Sequence, residues 1–121
     1  MWGDIYINGS KPLSYQEKEN LSGFWLNEKP IYSIVKVIDV SANSQISINL
    51  SELNYEVIWI NQGKSFNQYD GTQTSSAINW YSGNNDYGLV YVNASRNLII
   101  KNNSTFVRKY YLTLEYTKTT D

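Results

Sequence analysis

The sequence predicts one antiparallel β-sandwich domain over residues 1–121, jelly-roll-like, with about eight or nine strands. Three observations carry this. Runs of aromatic and β-branched residues alternate with turn signals about every eight to twelve residues. Aromatic residues make up 15% of the chain, with 11 Tyr and 4 Trp, and such rings suit pleated, half-buried surfaces. No helix-favouring stretch is long enough for the crossover that parallel strands need.

The elements follow in order. Trp2 to Ile7 reads as an extended lead-in, broken by Asn8-Gly9-Ser10. Ser14 and Glu17 have capping-box spacing, which allows a short helix through Asn20, so residues 1–22 form a lead-in segment. Gly23 to Leu26 and Ile31 to Val40 read as a hairpin around the turn Asn27 to Pro30. Gln45 to Leu50 alternates cleanly, with Ile46, Ile48 and Leu50 on one face and Ser47 and Asn49 on the other. Tyr55 to Ile60 is a further strand. Lys64 to Asn79 is a polar excursion holding a short strand at Phe66 to Tyr69. Ile78 to Tyr81 is a strand, and Ser82 to Asp86 is a turn. Tyr87 to Val92, Asn97 to Lys101 and Phe106 to Thr117 complete the set, joined by tight connectors. In the last of these, Tyr110, Leu112, Leu114 and Tyr116 share one face, and Tyr111, Thr113, Glu115 and Thr117 share the other. Trp25 and Trp59 are expected to be structural.

Composition excludes several classes of function. The net charge is −1 and the 10 Lys and Arg are scattered, so no basic face for nucleic acid is expected. There is no Cys and no His, which removes disulfides, thiolate and imidazole metal sites, and Ser-His or Cys-His catalysis. No apolar run reaches membrane-spanning length, and the start MWGDIYINGS lacks a secretion signal. One enzymatic option survives, a carboxylate pair of glycosidase type made by Asp70 and Asp86 across a groove. The competing reading makes both ordinary turn residues beside Gly71 and after Asn84-Asn85, and the chain is expected not to be an enzyme. No cofactor and no metal are expected.

Two segments carry a family resemblance. Tyr15-Gln16-Glu17-Lys18-Glu19 is followed by Gly23-Phe24-Trp25-Leu26-Asn27-Glu28-Lys29-Pro30-Ile31-Tyr32, and the chain ends Leu114-Glu115-Tyr116-Thr117-Lys118-Thr119-Thr120-Asp121. In that order and spacing they resemble the C-terminal domain of tail-fibre receptor-binding proteins of bacteriophages and prophages, particularly those of low-GC Gram-positive bacteria. The likeness covers both ends and thins in the middle. Asn27-Glu28 departs from the commoner Asp-Gly at the hairpin turn. The resemblance implies a homotrimeric tip domain in the virion, joined to the rest of the tail fibre. It implies adsorption to a host cell-surface polysaccharide or teichoic-acid-like glycan, and it brings no catalytic residues.

Glycan recognition needs flat rings and planar amides or carboxylates. The segment Asn79 to Tyr87 concentrates them, with Gln68 to Asp70 before it. The candidate ligand-binding residues are Tyr69, Trp80, Tyr81, Asn84, Asn85, Asp86 and Tyr87. Trp80 and Tyr81 are neighbours in a strand, so they point to opposite faces and one of them is expected in the core. One face of Phe106 to Tyr116 and part of Ile31 to Val40 are expected near a three-fold axis. Two other functions stay open: a structural trimerisation cap without a ligand, and a carbohydrate-binding module of a tail-associated enzyme.

Overall fold

The computed structural model describes residues 19–69, 75–83 and 85–120. The capping box, the Trp2 to Ile7 lead-in, Asp70, Gly71 and Asn84 lie outside them. The described residues are all-β, and every strand pairing is antiparallel. In chain order the strands are β1 (Asn20–Leu26), β2 (Lys29–Val40), β3 (Ser44–Asn49), β4 (Tyr55–Ile60), β5 (Phe66–Tyr69), β6 (Ser75–Ser76), β7 (Trp80–Gly83), β8 (Asp86–Val92), β9 (Asn97–Asn103) and β10 (Arg108–Lys118). The helical content of the described residues is two single 3-10 turns, Ser51–Leu53 and Gln62–Lys64.

Two sheets form, giving a sandwich-like arrangement. The larger runs β1-β2-β10-β5-β6, with β4 also on β10, and the smaller runs β3-β9-β8-β7. Strand β10 is the hub. Its Arg108–Tyr116 stretch pairs with β2 along one edge. Its other edge is shared by β5 at Arg108–Tyr111 and β4 at Leu114–Lys118. Directly paired residues share a face. The alternation read from β10 therefore places Tyr110, Leu112, Leu114 and Tyr116 inward, and all four are fully buried. They meet Leu98 and Ile100 from β9, Val90 from β8 and the connector residues Leu50 and Ile78 in one core. Each such side chain contributes about 1.5–3 kcal/mol through burial. The outward face of β10 is partly covered within the chain. Phe66 stacks on Tyr111 at 4.6 Å, and the Trp59 indole N–H donates to Glu115 at 2.9 Å.

Several boundaries move. Strand β1 starts at Asn20 rather than Gly23, because Asn20 and Leu21 already pair with Ser33 and Tyr32, so no helix reaches Asn20. The hairpin turn contracts to Asn27-Glu28, and Lys29 and Pro30 join β2. Trp25 is 66% exposed rather than structural: β1 ends the strand order of its sheet, and an irregularity between Leu21 and Trp25, around Gly23 at φ +89°, sets the tip of the hairpin outward. Strand β7 is shifted two residues, from Ile78–Tyr81 to Trp80–Gly83. The Asn79 side-chain oxygen, not a strand carbonyl, accepts the Val90 N–H at 2.8 Å, and Ile78 enters the core from a connector. Strand β9 continues to Asn103, and Phe106 and Val107 stay outside β10 because the Phe106 carbonyl is held by the Asn102 amide at 2.8 Å.

The start of β1 is tied to β10. Lys118 pairs with Glu19 at 2.7 Å, and the Tyr116 hydroxyl donates to the same carboxylate. Burial first, then Glu19, pushes the Tyr116 phenol far above its ordinary range.

Asn27 and Glu28 both have positive φ, 52° and 64°, the pattern of a two-residue hairpin turn that prefers Asn-Gly. Glu28 bears a Cβ penalty there that glycine would not. Glu28→Gly is expected to stabilise the domain by about 1 kcal/mol after glycine's entropy cost is subtracted. A thermal midpoint that stays put or falls would show the turn to be unstrained.

Candidate functional site

The smaller sheet presents an aromatic outer face. Register and alternation put Tyr87, Leu89 and Tyr91 of β8 outward, while Gly88, Val90 and Val92 face in. Tyr81 of β7 lies opposite Tyr87. On the other flank Asn103, Lys101 and Ile99 of β9 lie opposite Tyr87, Leu89 and Tyr91. Gln45 and Ser47 of β3 extend the rows beyond Lys101 and Ile99. Tyr81 is 75% exposed, Tyr91 46% and Leu89 43%, whereas Ile99 is covered. Alternate residues along β8 stand about 7 Å apart, so Tyr87 to Tyr91 spans about 14 Å. The Lys101 ammonium sits 5.3 Å from the Tyr87 ring centroid. The face thus combines rings, amides and one cation, and no carboxylate lies in its paired rows. That arrangement suits stacking and hydrogen bonding to a polyhydroxylated chain.

A second cluster lies between the sheets at one end. Trp80 is paired with Gly88 on the inner side of β7 and β8, and its indole occupies the space a side chain at Gly88 would need. Arg108, the first residue of β10, reaches across to it with its guanidinium 4.1 Å from the Trp80 ring. Tyr69, opposite Arg108 in the larger sheet, lies 5.1 Å away on its own ring and packs against Phe106 at 5.0 Å. The Arg108 Nε–H donates to Ser104 Oγ at 3.0 Å and Nη1 to Asn67 Oδ1 at 2.9 Å. Asn67 in turn donates to the Ala77 carbonyl, and Ser104 to Asn102 Oδ1. Burial lowers the Arg108 pKa, while Tyr110, Tyr69 and Asp86 act in the opposite sense. Burial raises that of Tyr110. The Trp80 N–H favours the ionised phenol, yet it and the Tyr110 hydroxyl are both buried without a hydrogen-bond partner.

The structure therefore divides the residues singled out in the sequence. Tyr81 and Tyr87 come together on the outer face. Trp80 and Tyr69 come together on either side of Arg108. Asn85, at φ 65°, forms the turn, and its carbonyl accepts from the Asn103 amide. Asp86 opens β8 opposite Gly83 and is half-buried. Asn84 and Asp70 lie outside the described residues, so the Asp70–Asp86 pair has no described geometry. Sequence reasoning missed Tyr91, Lys101, Asn103 and Arg108. Tyr91 was reachable, being in step with Tyr87 along one alternating strand. Nothing local marked Arg108, whose partners other than Ser104 lie far away in sequence. No protein-family model, curated protein or solved structure matches the chain.

Proposed function

We propose that the chain is a glycan-binding, non-enzymatic tip domain of a phage tail fibre, a β-sandwich that works as a homotrimer. In this reading the outer face of the smaller sheet is the receptor surface. The observation that carries it is the run Tyr81, Tyr87 and Tyr91 with Lys101 and Asn103, in which Tyr81 and Tyr91 are open to solvent and Tyr87 is half-buried between them, on rigid paired strands beside amide and ammonium groups. Loss of water from such rings on contact with a sugar face is favourable, and strand-borne rings pay little ordering entropy. The trimer is supported by the other exposed apolar side chains. Leu21, Phe24 and Trp25 on β1, the last strand in the order of its sheet, are each 65–70% exposed, apolar surface that a neighbouring subunit would cover. Three copies would also raise avidity for a repeating polymer, by roughly 10²–10⁴.

The test uses Tyr81→Ala and Tyr91→Ala, singly and together. Each is expected to weaken binding to host cells and to purified wall glycan by about tenfold or more, the scale of an interface anchor. Because both rings are exposed, stability is expected to move by no more than about 0.5 kcal/mol. Undiminished cell binding by the folded double variant would remove the receptor surface from this face. A mass in solution of 14.0 kDa at micromolar concentration would remove the trimer.

A further inference from the structure

We propose that Arg108 anchors a small anion site, taking a carboxylate or phosphoryl group, at one end of the space between the two sheets. The site is separate from the tyrosine run: it lies on the opposite side of β7 and does not depend on that run binding anything.

Four observations meet there. Arg108 is a buried cation, 7% exposed, and no described carboxylate forms an ion pair with it. Arginine this deeply buried is normally paired. Its protein acceptors, Ser104 Oγ and Asn67 Oδ1, are both neutral. They engage the Nε–H and one N–H of Nη1. Both N–H groups of Nη2 and the second of Nη1 have no protein acceptor among the described residues. Free N–H groups on two adjacent nitrogens suit the oxygens of a carboxylate or phosphate.

The surroundings hold the fork still. The Trp80 and Tyr69 rings lie 4.1 and 5.1 Å from the guanidinium, and Phe106 backs Tyr69 at 5.0 Å. Two hydrogen bonds fix its rotation, so little entropy remains to be lost on binding. Asn85, just before β8, is tied to the end of β9 by the Asn103 amide, which donates to the Asn85 carbonyl. Asp86 acts on Arg108 through space, favouring its charge without touching it. A bound anion would feel Asp86 as a weak repulsion.

Nuclear magnetic resonance of the ¹⁵N-labelled full chain tests this directly. The Arg108 Nε–H and Trp80 indole N–H signals are followed while sodium glucuronate or inorganic phosphate is added, with sodium chloride at matched ionic strength as the control. Both signals are expected to shift saturably with at least one oxyanion and not with chloride. Saturation by glucuronate alone assigns an acidic sugar, and by phosphate alone a phosphoryl group. Asp86→Asn is expected to tighten binding roughly two- to fivefold by removing the nearby negative charge. Arg108→Lys is expected to weaken it about tenfold or more, the scale of a charge-assisted hydrogen bond. Tyr81→Ala is expected to leave the titration unchanged, which separates this site from the outer face. Absence of saturation with both oxyanions overturns the proposal, as does an Asp86→Asn affinity that is equal or weaker. If Arg108→Lys does not fold, the parent and Asp86→Asn titrations decide.

Discussion

Trp80→Ala is expected to lower the unfolding free energy by about 2–3 kcal/mol, below the range for a fully buried aromatic because the ring is half-buried. The ring does three things at once. It fills the gap over Gly88, where an added Cβ would come within 2.2 Å of Nε1. It supplies the π face under Arg108. It also closes the core beside the buried Tyr110. Removing it leaves a void flanked by a buried cation, and the backbone of two paired strands cannot collapse far to fill it. Gly88→Ala attacks the same contact from the other side and is expected to cost about 1–3 kcal/mol through overpacking. Urea denaturation with an unchanged m value measures both. A loss below about 1 kcal/mol for Trp80→Ala would mean that the ring is not packed and belongs with the ligand-facing residues.

Asn102→Ala is expected to cost about 3 kcal/mol or more, although the side chain removed is small and polar. Its amide nitrogen is fully buried and lies 3.1 Å from the Val40 carbonyl, 3.2 Å from Ser41 and 2.8 Å from Phe106. Its oxygen accepts from Ser104 at 2.6 Å. One side chain thus satisfies the end of β2 and the connection into β10, which belong to the sheet opposite its own strand. Alanine would strand several of these acceptors without water, and each buried orphan costs about 1–3 kcal/mol. Asn102→Asp keeps the shape but puts an acceptor where the carbonyls need a donor, so it is expected to be no better. Calorimetric midpoints for the two variants check this, and a near-parental midpoint for Asn102→Ala would show that solvent reaches the carbonyls.

The strands whose faces alternate were legible. Ile46, Ile48 and Leu50 against Ser47 and Asn49 fixed the face of β3, and the even-numbered apolar residues from Tyr110 to Tyr116 fixed that of β10, because period two is a local property. The errors came where a side chain replaces a backbone partner. Asn79 caps the Val90 N–H and so delays β7, and the Asn102 amide keeps Phe106 and Val107 out of β10. Trp25 was misjudged because its residue type says buried while its place on the hairpin tip says otherwise. Within the candidate site, Trp80 and Tyr81 separate to opposite faces as neighbours in a strand must. The union of Trp80 with Arg108, Asn67 and Ser104 was not legible, since it depends on which sheets face one another and no spacing in the chain encodes that.

The position of β10 at the centre of the larger sheet also sets an order of events during synthesis. A ribosome delivers β2, β4 and β5 before the strand against which all three must pair. Until Arg108 to Lys118 leave the exit tunnel, the larger sheet has a hairpin at one side, loose segments at the other and nothing to join them. Its registry is therefore decided after translation of the tenth strand, in a single late closure over long chain separations, the slowest kind of β-sheet formation. The smaller sheet can form before that moment, since its four strands all precede β10 and three of them, β7, β8 and β9, are sequence neighbours.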